Sequence, residues 1–231
     1  MRNIAIIPAR SGSKGLPDKN IKRLNGKPLM AYSIICAIES GIFETVMVST
    51  DSQYYAEIAR EYGAEVPFMR TPQTASDSAD SWSVVKEVLL NYEEMGKSFE
   101  NVCLLQPTSP LRNTKDIINA YNFFDKEASV SVISVCEMEH PPIWCNVLPD
   151  DLSLDGFICD KGERRQCYKK YYRLNGAIYF VNIKELFKDP NLYREGSYAY
   201  VMPNERSIDI DTDLDFKLAE FFMSQYQDLG N

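Results

Sequence analysis

Short strand-like segments alternate with longer helix-like segments along most of this chain. Runs rich in Val and Ile predict strands, whereas apolar residues at helical spacing between caps and glycines predict helices. We expect strands over residues 3–9, 45–49, 64–68, 102–105, 130–135, 176–181 and 199–202. We expect helices over residues 28–40, 114–126, 183–187 and 212–225, from a cap at Asp51 or Ser52 to residue 62, and from a cap at Asp80 or Ser81 to residue 95. This alternation predicts an α/β fold with a mostly parallel sheet and helices on both faces.

The alternation breaks over residues 138–173, which hold two adjacent prolines, an acidic turn and a cluster of basic residues. We interpret this segment as an excursion from the sheet that contacts a partner subunit, and we expect a homodimer. The predicted division is one α/β domain made of residues 1–137 and 174–231, with residues 138–173 as a dimerisation excursion. With 231 residues and 45% apolar side chains, the chain can fill one large core.

The formal net charge of −8 opposes non-specific binding to nucleic acid. Basic side chains nevertheless cluster within residues 1–38 and within residues 161–173. Two basic clusters on an acidic chain favour a small polyanionic ligand, although a solvated face explains either cluster alone about as well. No apolar run reaches membrane-spanning length and no export signal precedes the first strand, so we expect no membrane partner. The six cysteines form no CxxC motif, which predicts reduced thiols in a cytoplasmic protein.

The first predicted strand ends in a loop rich in glycine, serine and basic residues. Gly12 and Gly15 allow backbone N–H groups to approach an anion closely, and Arg10 and Lys14 supply positive charge for phosphate oxygens. The loop contains neither the GxxxxGK[ST] of a P-loop nor the GxGxxG of a dinucleotide-binding domain, which argues against an ATPase and a dehydrogenase. We interpret it as a phosphate-binding loop. The alternative is an ordinary turn with a solvated Arg10 and Lys14.

Gln106 follows the strand predicted at residues 102–105 and begins a loop that two prolines stiffen. Its amide offers a paired donor and acceptor that can hydrogen bond to the edge of a base. The alternative is a rigid turn without a ligand. The polar loop at residues 70–81 can hold a base or a ribose, although a solvated loop explains its sequence alone better.

Asp209 and Asp211 alternate on an extended segment, so their carboxylates point the same way. Such a pair is unfavourable unless a cation neutralises it, and Mg²⁺ bound together with phosphate oxygens is the usual solution. The alternative is that Asp211, Thr212 or Asp213 caps the last helix, and both interpretations can hold at once. Together, the loops describe a nucleotide site.

Four segments follow one another in the order PARSGSKGLPDKN, LLQPTSPLR, RLNGAIY and SIDIDT. They closely resemble the acylneuraminate cytidylyltransferases, the CMP-sialic acid synthetases, and the resemblance covers essentially the whole chain. It implies a nucleotidyltransferase, Rossmann-like fold with a small dimerisation subdomain. It also implies an enzyme that transfers CMP from CTP to a nine-carbon 2-keto sugar acid and releases pyrophosphate, with Mg²⁺ as the cofactor.

The resemblance implies roles for individual residues. Arg10, Lys14 and Asp211 are the expected catalytic residues, and Asp209 and Asp211 are the expected ligands of Mg²⁺. The sequence identifies no general base; Asp211 and a metal-bound water are the alternatives. The expected nucleotide-binding residues are Arg10, Ser11, Gly12, Lys14, Asn20, Arg70, Ser81 and Gln106. The expected sugar-binding residues are Gln106, Trp144, Arg165, Arg173 and Asn175.

One position departs from the family pattern. Sialic-acid members often carry a Lys directed at the sugar after a His-Pro pair, whereas Trp144 lies at about that place here. This departure favours a related nonulosonic acid, such as legionaminic or pseudaminic acid, over N-acetylneuraminic acid. Two other functions stay open, namely a 3-deoxy-manno-octulosonate cytidylyltransferase and a nucleotide-binding module without catalysis.

Overall fold

The computed structural model describes residues 2–13, 15–76, 79–158 and 169–228, with side chains up to residue 225. The strands in this part of the chain are β1 Asn3–Pro8, β2 Arg23–Leu24, β3 Lys27–Pro28, β4 Thr45–Ser49, β5 Asn101–Leu104, β6 Ser131–Glu137, β7 Tyr172–Asn182 and β8 Ser197–Val201. The helices are α1 Leu29–Ser40, α2 Gln53–Glu61, α3 Pro72–Ala75, α4 Ser81–Glu94, α5 Thr114–Lys126, α6 Ile183–Lys188 and α7 Asp213–Asp228. The predicted alternation of strands and helices is confirmed.

Six of the strands form one sheet in the order β4-β1-β5-β7-β6-β8. β1 pairs in parallel with β4 and β5, and β8 pairs in parallel with β6. β7 runs antiparallel to both of its neighbours, β5 and β6. The prediction of a mostly parallel sheet is confirmed, with β7 as the antiparallel exception.

The core lies on both faces of the sheet because side chains alternate between the faces along each strand. Ala5 and Ile7 of β1 pack with side chains of α1, α2 and α5, whereas Ile4 and Ile6 pack with side chains of α4 and α6. All four are fully buried, and each isoleucine contributes about 1.5–3 kcal/mol of burial free energy. Helices therefore cover both faces, as predicted.

Capping residues determine where the helices begin and end. Ser52 accepts a hydrogen bond from the N–H of Tyr55 at the start of α2, and Asp80 caps α4 by accepting from the N–H of Ser83. Of the alternatives that the sequence left open, Ser52 rather than Asp51 caps α2, and Asp80 rather than Ser81 caps α4. Gly41 ends α1 with a φ of 66°, a conformation that glycine adopts without strain. None of the helices in the described part of the chain combines the length and hydropathy needed to cross a membrane.

The strand predicted over residues 64–68 is wrong. Glu65 forms a single parallel bridge with Met47, and the pairing does not continue along the segment. Pro67 explains the interruption, because proline has no N–H to donate to the next position of a ladder.

Strands β6 and β7 pair beyond their predicted ends. A register shift between Ile133 and Val135 lets the pairing continue past Gly176, as far as Glu137 opposite Tyr172. The first residues of β7 therefore belong to the segment predicted as the excursion. In the described remainder of that segment the structure has one 3₁₀ turn, Pro142–Trp144, and neither helix nor strand. The division into two parts stays a prediction.

The carboxyl ends of β1, β4 and β5 meet at one edge of the sheet, because these strands are parallel neighbours. Pro8 lies opposite Ser49, and Ile6 lies opposite Leu104. The loops that follow the three strands therefore open on the same side, which is where α/β sheets bind their ligands.

Candidate active site

A cleft of about 430 Å³ opens at this edge of the sheet. Six of the predicted site residues line it, namely Arg10, Asn20, Arg70, Ser81, Gln106 and Asp211. Its other polar lining side chains, which were not predicted as site residues, are Ser13, Lys19 and Thr108. A larger cavity of about 660 Å³ lies at the opposite edge of the sheet, beside Arg2 and Asn101. None of the predicted residues lines that cavity, so we place the site in the smaller cleft.

The loop after β1 is anchored by a buried asparagine and by close packing. The Asn20 side chain donates from Nδ2 to the carbonyl oxygen of Arg10 at 3.0 Å. A Cβ on Gly15 would lie 2.8 Å from the backbone oxygen of Asp211, which is too close for any larger residue unless the backbone moves. Gly15 therefore brings the loop against the Asp209–Asp211 segment, near the other end of the chain.

Ser11 contacts the loop after β4 instead of lining the cleft. Its N–H and its hydroxyl donate to the two carboxylate oxygens of Asp51, at 2.7 and 2.9 Å. Both donors of Ser11 are therefore taken up by Asp51, and its contact with the nucleotide stays a prediction. Gly12 follows with a φ of 72°, which favours glycine, and it does not line the cleft either. Lys14 lies outside the described residues.

Two guanidinium groups, those of Arg10 and Arg70, line the same cleft. Burial is the largest cause that lowers the pKa of Arg70, and the charge of Arg10 lowers it further, while Asp51 and Glu87 act in the opposite direction. The Nε of Arg70 is buried and has no hydrogen-bond partner in the described part of the chain. Repelling cations and an unsatisfied buried donor are unfavourable until an anion binds, so the cleft suits a phosphate or carboxylate ligand.

The loop before α4 forms one wall of the cleft. Arg10 donates from Nη1 to the carbonyl oxygen of Ala75 at 3.5 Å, and the carboxylate of Glu87 accepts the N–H of Thr71 at 2.9 Å. Ser81 is the first residue of α4. It therefore presents its hydroxyl at the positive end of the helix dipole, where negative charge is stabilised.

A fully buried arginine holds the Gln106 loop in place. Arg112 donates from Nη1 to the carbonyl oxygens of Ala177 at 2.8 Å and of Gln106 at 3.4 Å, and from Nη2 to the Ser33 hydroxyl. Burial lowers the pKa of Arg112. It was not predicted as a site residue, because arginine is mostly exposed in proteins and the sequence shows no partner for it.

The Gln106 side chain lies directly against Gly176. A Cβ on Gly176 would collide with Oε1 of Gln106 and would lie 3.6 Å from Oδ2 of Asp209. The Gln106 amide has no hydrogen bond to any described residue, so its donors and acceptor are available to a ligand. Gly176, with a φ of 75°, is the glycine that makes this arrangement possible, and its place at the start of a predicted strand was the available sequence signal.

Asp209 is a largely buried carboxylate with unmet hydrogen-bonding capacity. Its Oδ1 is buried and has no partner among the described residues. Burial is the main cause that raises the pKa of Asp209; the charge of Asp211 raises it further, and Thr108, Lys19 and Arg173 lower it. A divalent cation would satisfy the oxygen and relieve the repulsion, so the pair fits Mg²⁺. No group of three His, Cys, Asp or Glu side chains that could hold a metal occurs in the described ranges, which leaves phosphate oxygens and water to complete the coordination.

Thr212 and Asp215 cap the last helix, so the Asp211 carboxylate is not needed as a cap. The N–H of Asp215 donates to the Thr212 hydroxyl at 3.3 Å, and the N–H of Thr212 donates to Oδ2 of Asp215 at 2.7 Å. Of the three residues that the sequence left open, Asp211, Thr212 and Asp213, this reciprocal capping box identifies Thr212 as the cap.

Lys19 is the main candidate residue of the cleft that the sequence did not reveal. Its Nζ donates to Oδ1 of Asp211 at 2.9 Å and to the carbonyl oxygen of Ile210 at 2.7 Å, and its side chain is 12% exposed against 74% for Asp211. It adds a third cation to the cleft that Arg10 and Arg70 line. The sequence signal was its place in the PARSGSKGLPDKN segment.

The residues predicted to bind the sugar are not all in the cleft. Arg173 is exposed and donates from Nη2 to the carbonyl oxygen of Ser207 at 3.3 Å. Trp144 packs beside His140, with ring centroids 6.0 Å apart, and does not line the cleft. Arg165 lies outside the described residues. The sugar contacts of these residues stay predictions.

Asn175 lies inside the protein, with 1% of its surface exposed. Its Oδ1 accepts from the Ser134 hydroxyl at 2.6 Å and from the N–H of Ala177 at 3.2 Å, and its Nδ2 donates to the Ser207 hydroxyl at 2.9 Å. Its side chain is thus satisfied within the protein, and it connects β6 and β7 to the segment that carries Asp209. This geometry supports a positioning role rather than the predicted contact with the sugar.

Comparison with known proteins shows which family the chain resembles. A family model described as cytidylyltransferase matches residues 4–140. The N-acylneuraminate cytidylyltransferase of Streptococcus agalactiae serotype V is 41% identical over 94% of this chain and 52% of that protein, so the chain spans about half the length of this relative. The CMP-N,N'-diacetyllegionaminic acid synthase of Legionella pneumophila is 37% identical over 99% of both chains.

A solved structure has the same fold at much lower identity. CMP:2-keto-3-deoxy-manno-octonic acid synthetase, solved in complex with CTP, superposes with a TM-score of 0.73 over 98% of this chain and all of that one. At 16% identity, this likeness shows the nucleotidyltransferase fold alone.

Proposed function

Since this chain belongs to the cytidylyltransferase family, we propose that it transfers CMP from CTP to the anomeric hydroxyl of a nine-carbon 2-keto sugar acid and releases pyrophosphate. The observation that carries the proposal is one cleft that joins Arg10, Arg70 and Lys19 to the Gln106 amide and to Asp211, with Asp209 beside it. Arg10 and Lys19 supply cations for the phosphates, Gln106 supplies an amide for the base, and the two aspartates supply a carboxylate pair, which are the groups that a CTP-dependent transfer requires.

Positioning and charge neutralisation are the chain's main contributions to this reaction, because the nucleophile and the electrophile both come from substrates. Arg10 and Lys19 hold the triphosphate, and Arg70, Ser81 and Gln106 line the cytidine pocket. The anomeric hydroxyl attacks the α-phosphorus in line, the bond to the bridging oxygen breaks, and pyrophosphate leaves. Asp211, the acidic side chain in the described lining of the cleft, is the candidate acceptor of the hydroxyl proton. Lys14 is proposed to contact the phosphates as well.

We propose Mg²⁺ as the cofactor, with Asp209 and Asp211 as its protein ligands. The support is the partnerless Oδ1 of Asp209 and its repulsion with Asp211. Bound there, the ion would neutralise charge on the phosphate oxygens.

A substrate panel tests the proposed function and identifies the sugar. The purified protein is incubated with CTP and each of several 2-keto sugar acids, and pyrophosphate release is measured. Release with nine-carbon acids supports the proposal, and a clear preference for the eight-carbon 3-deoxy-manno-octulosonate supports the alternative synthetase. CTP binding without pyrophosphate release from any acid would indicate a nucleotide-binding module.

Trp144 is expected to influence which sugar is preferred. An indole in place of a cation removes a charge partner and adds apolar area, so deoxy or extra acyl groups on the sugar should be favoured over the hydroxyls of N-acetylneuraminate. The matched variants are Trp144→Lys, which should shift kcat/KM toward N-acetylneuraminate, and Trp144→Phe, which should not. If N-acetylneuraminate is clearly the best substrate of the wild-type protein, this prediction is wrong.

We propose a homodimer formed through the excursion at residues 138–173. Its described part exposes several large apolar side chains, which suit a partly polar subunit interface: Val147, Leu148, Leu152, Leu154 and Ile158. The resemblance to the acylneuraminate cytidylyltransferases implies that the excursion also brings Arg165 or its neighbours toward the partner's cleft.

Light scattering should therefore report a dimer at micromolar concentration. Leu154→Asp should weaken this dimer, whereas Leu90→Asp, which changes an exposed leucine of α4, should not. A fully active monomer at the same concentration would contradict the prediction.

A cytoplasmic location also stays a proposal. Its support is that the four cysteines in the described ranges, Cys36, Cys103, Cys136 and Cys145, are free thiols, as is usual in reducing compartments.

A further inference from the structure

We propose that Asp51 is a positioning residue that holds the loop after β1 in its triphosphate-binding conformation. The inference rests on the proposed function, because it concerns the same nucleotide site. Asp51 follows β4, and its two carboxylate oxygens accept the N–H and the hydroxyl of Ser11 at 2.7 and 2.9 Å. Charge-assisted hydrogen bonds of this length are among the stronger ones in proteins.

The contact completes a continuous series of anchors along the loop. The N–H of Ala9 donates to the carbonyl oxygen of Ser49 at 2.9 Å, which extends the pairing of β1 with β4 by one residue. The carbonyl oxygen of Arg10 then accepts from Asn20 at 3.0 Å. The Asp51 carboxylate accepts the N–H of Ser11, the next residue. Three consecutive residues are therefore fixed immediately before Gly12, where the backbone turns to a positive φ.

Fixing Ser11 determines where the functional groups on either side of it lie. Arg10 precedes it and lines the cleft, and Ser13 follows Gly12 and lines the cleft too. Without Asp51, the loop would lose its last anchor before the glycine, and Gly12 gives the backbone wide conformational freedom. Nucleotide binding would then have to order the loop, and the conformational entropy lost in ordering it would weaken the affinity.

The charge of Asp51 argues against direct contact with the nucleotide. A carboxylate repels a triphosphate, so its presence beside a cationic cleft is unfavourable for affinity unless it acts through other groups. It acts on Ser11 through hydrogen bonds, and its charge also favours the ionised form of Arg70. Both effects prepare the cleft for an anion, and neither requires Asp51 to touch that anion.

The test measures the Kd for CTP by calorimetry without any sugar, together with KM and kcat in the pyrophosphate assay. Asp51→Ala should raise Kd and KM for CTP about tenfold, as expected from the loss of a charge-assisted hydrogen bond, and lower kcat less. Asp51→Asn keeps the shape and one acceptor oxygen, so it should recover most of the affinity. Ser11→Ala should have a smaller effect that vanishes in the Asp51→Ala background, because the hydroxyl acts through Asp51.

Glu61→Ala is the matched control, since it removes one exposed negative charge from the end of α2 and should leave Kd unchanged. An unchanged or lower Kd in Asp51→Ala would overturn the proposal. Equal effects of Ser11→Ala in both backgrounds would overturn it too. If Asp51→Ala does not fold, Asp51→Ser, which lacks the paired carboxylate oxygens, takes its place with the same expected rise in Kd. If the wild type binds CTP but releases no pyrophosphate with any acid, the proposed function fails while the Asp51 comparison stands.

Discussion

Asp211→Asn should lower kcat by about a hundredfold or more, and Asp209→Asn should do the same. Each change keeps the size of the side chain and removes one of the two charges that we propose hold Mg²⁺ at the phosphates. The loss of an electrostatic interaction made in the transition state costs a few kcal/mol, which corresponds to this factor. Asp213→Asn is the control, because Asp213 lies on the same segment, is exposed and pairs with Lys22 and Lys217 outside the cleft lining.

Of the two variants, Asp209→Asn should not destabilise the ligand-free protein. Burial raises the pKa of Asp209 above its unfolded value. The folded state therefore holds that proton more tightly, and stability is lost as the pH rises through the raised pKa. At neutral pH, Asp209→Asn should leave Tm unchanged or increase it, because the neutral amide carries no buried charge. Near-wild-type kcat in both variants at saturating Mg²⁺ would show that the two aspartates are not the metal ligands.

Gly176→Ala should lower kcat/KM for CTP by at least tenfold. The added Cβ collides with Oε1 of Gln106, so the amide that lines the cleft has to move. The φ of 75° also makes alanine unfavourable at this position, by about 1–2 kcal/mol. For a domain of this size, Tm should therefore fall by about 2–4 °C per kcal/mol.

Gly196→Ala separates the loss of stability from the loss of function. Gly196 has a φ of 83°, and a Cβ there would lie 3.1 Å from Val130, outside the cleft. This variant should lose stability to a similar extent and keep kcat/KM for CTP. If Gly176→Ala matches it in both respects, Gly176 is not needed to place Gln106 for nucleotide binding.

Much of the site could be predicted because it follows from the fold class. Arg10 and Gln106 come directly after strands that are parallel neighbours, so their loops must open at the same edge of the sheet. Asp211 was placed there through the alternation of two acidic side chains. Such positions can be predicted because the pairing of β1, β4 and β5 places the ends of these strands, and so the loops that follow them, at one edge of the sheet.

The residues that were missed or misplaced depend on contacts between distant parts of the chain. Lys19 binds Asp211 across 192 positions of sequence, and no local pattern indicates that pair. Ser11 was expected to contact the nucleotide, whereas Asp51, on another loop, accepts both of its donors, and no local pattern indicates that contact either. Asn175 is polar and lies near the site, but it is satisfied inside the protein, and burial of that kind is not visible in sequence.

Transfer of CMP requires cleavage at the α-phosphorus of CTP, and phosphorus NMR of a single reaction follows that cleavage. The protein is incubated with CTP, Mg²⁺ and the best nine-carbon 2-keto acid of the panel. We expect the three CTP resonances to disappear while one phosphodiester and one pyrophosphate form in equal amounts. The appearance of CDP with inorganic phosphate, or an unchanged CTP spectrum with every acid, would contradict it.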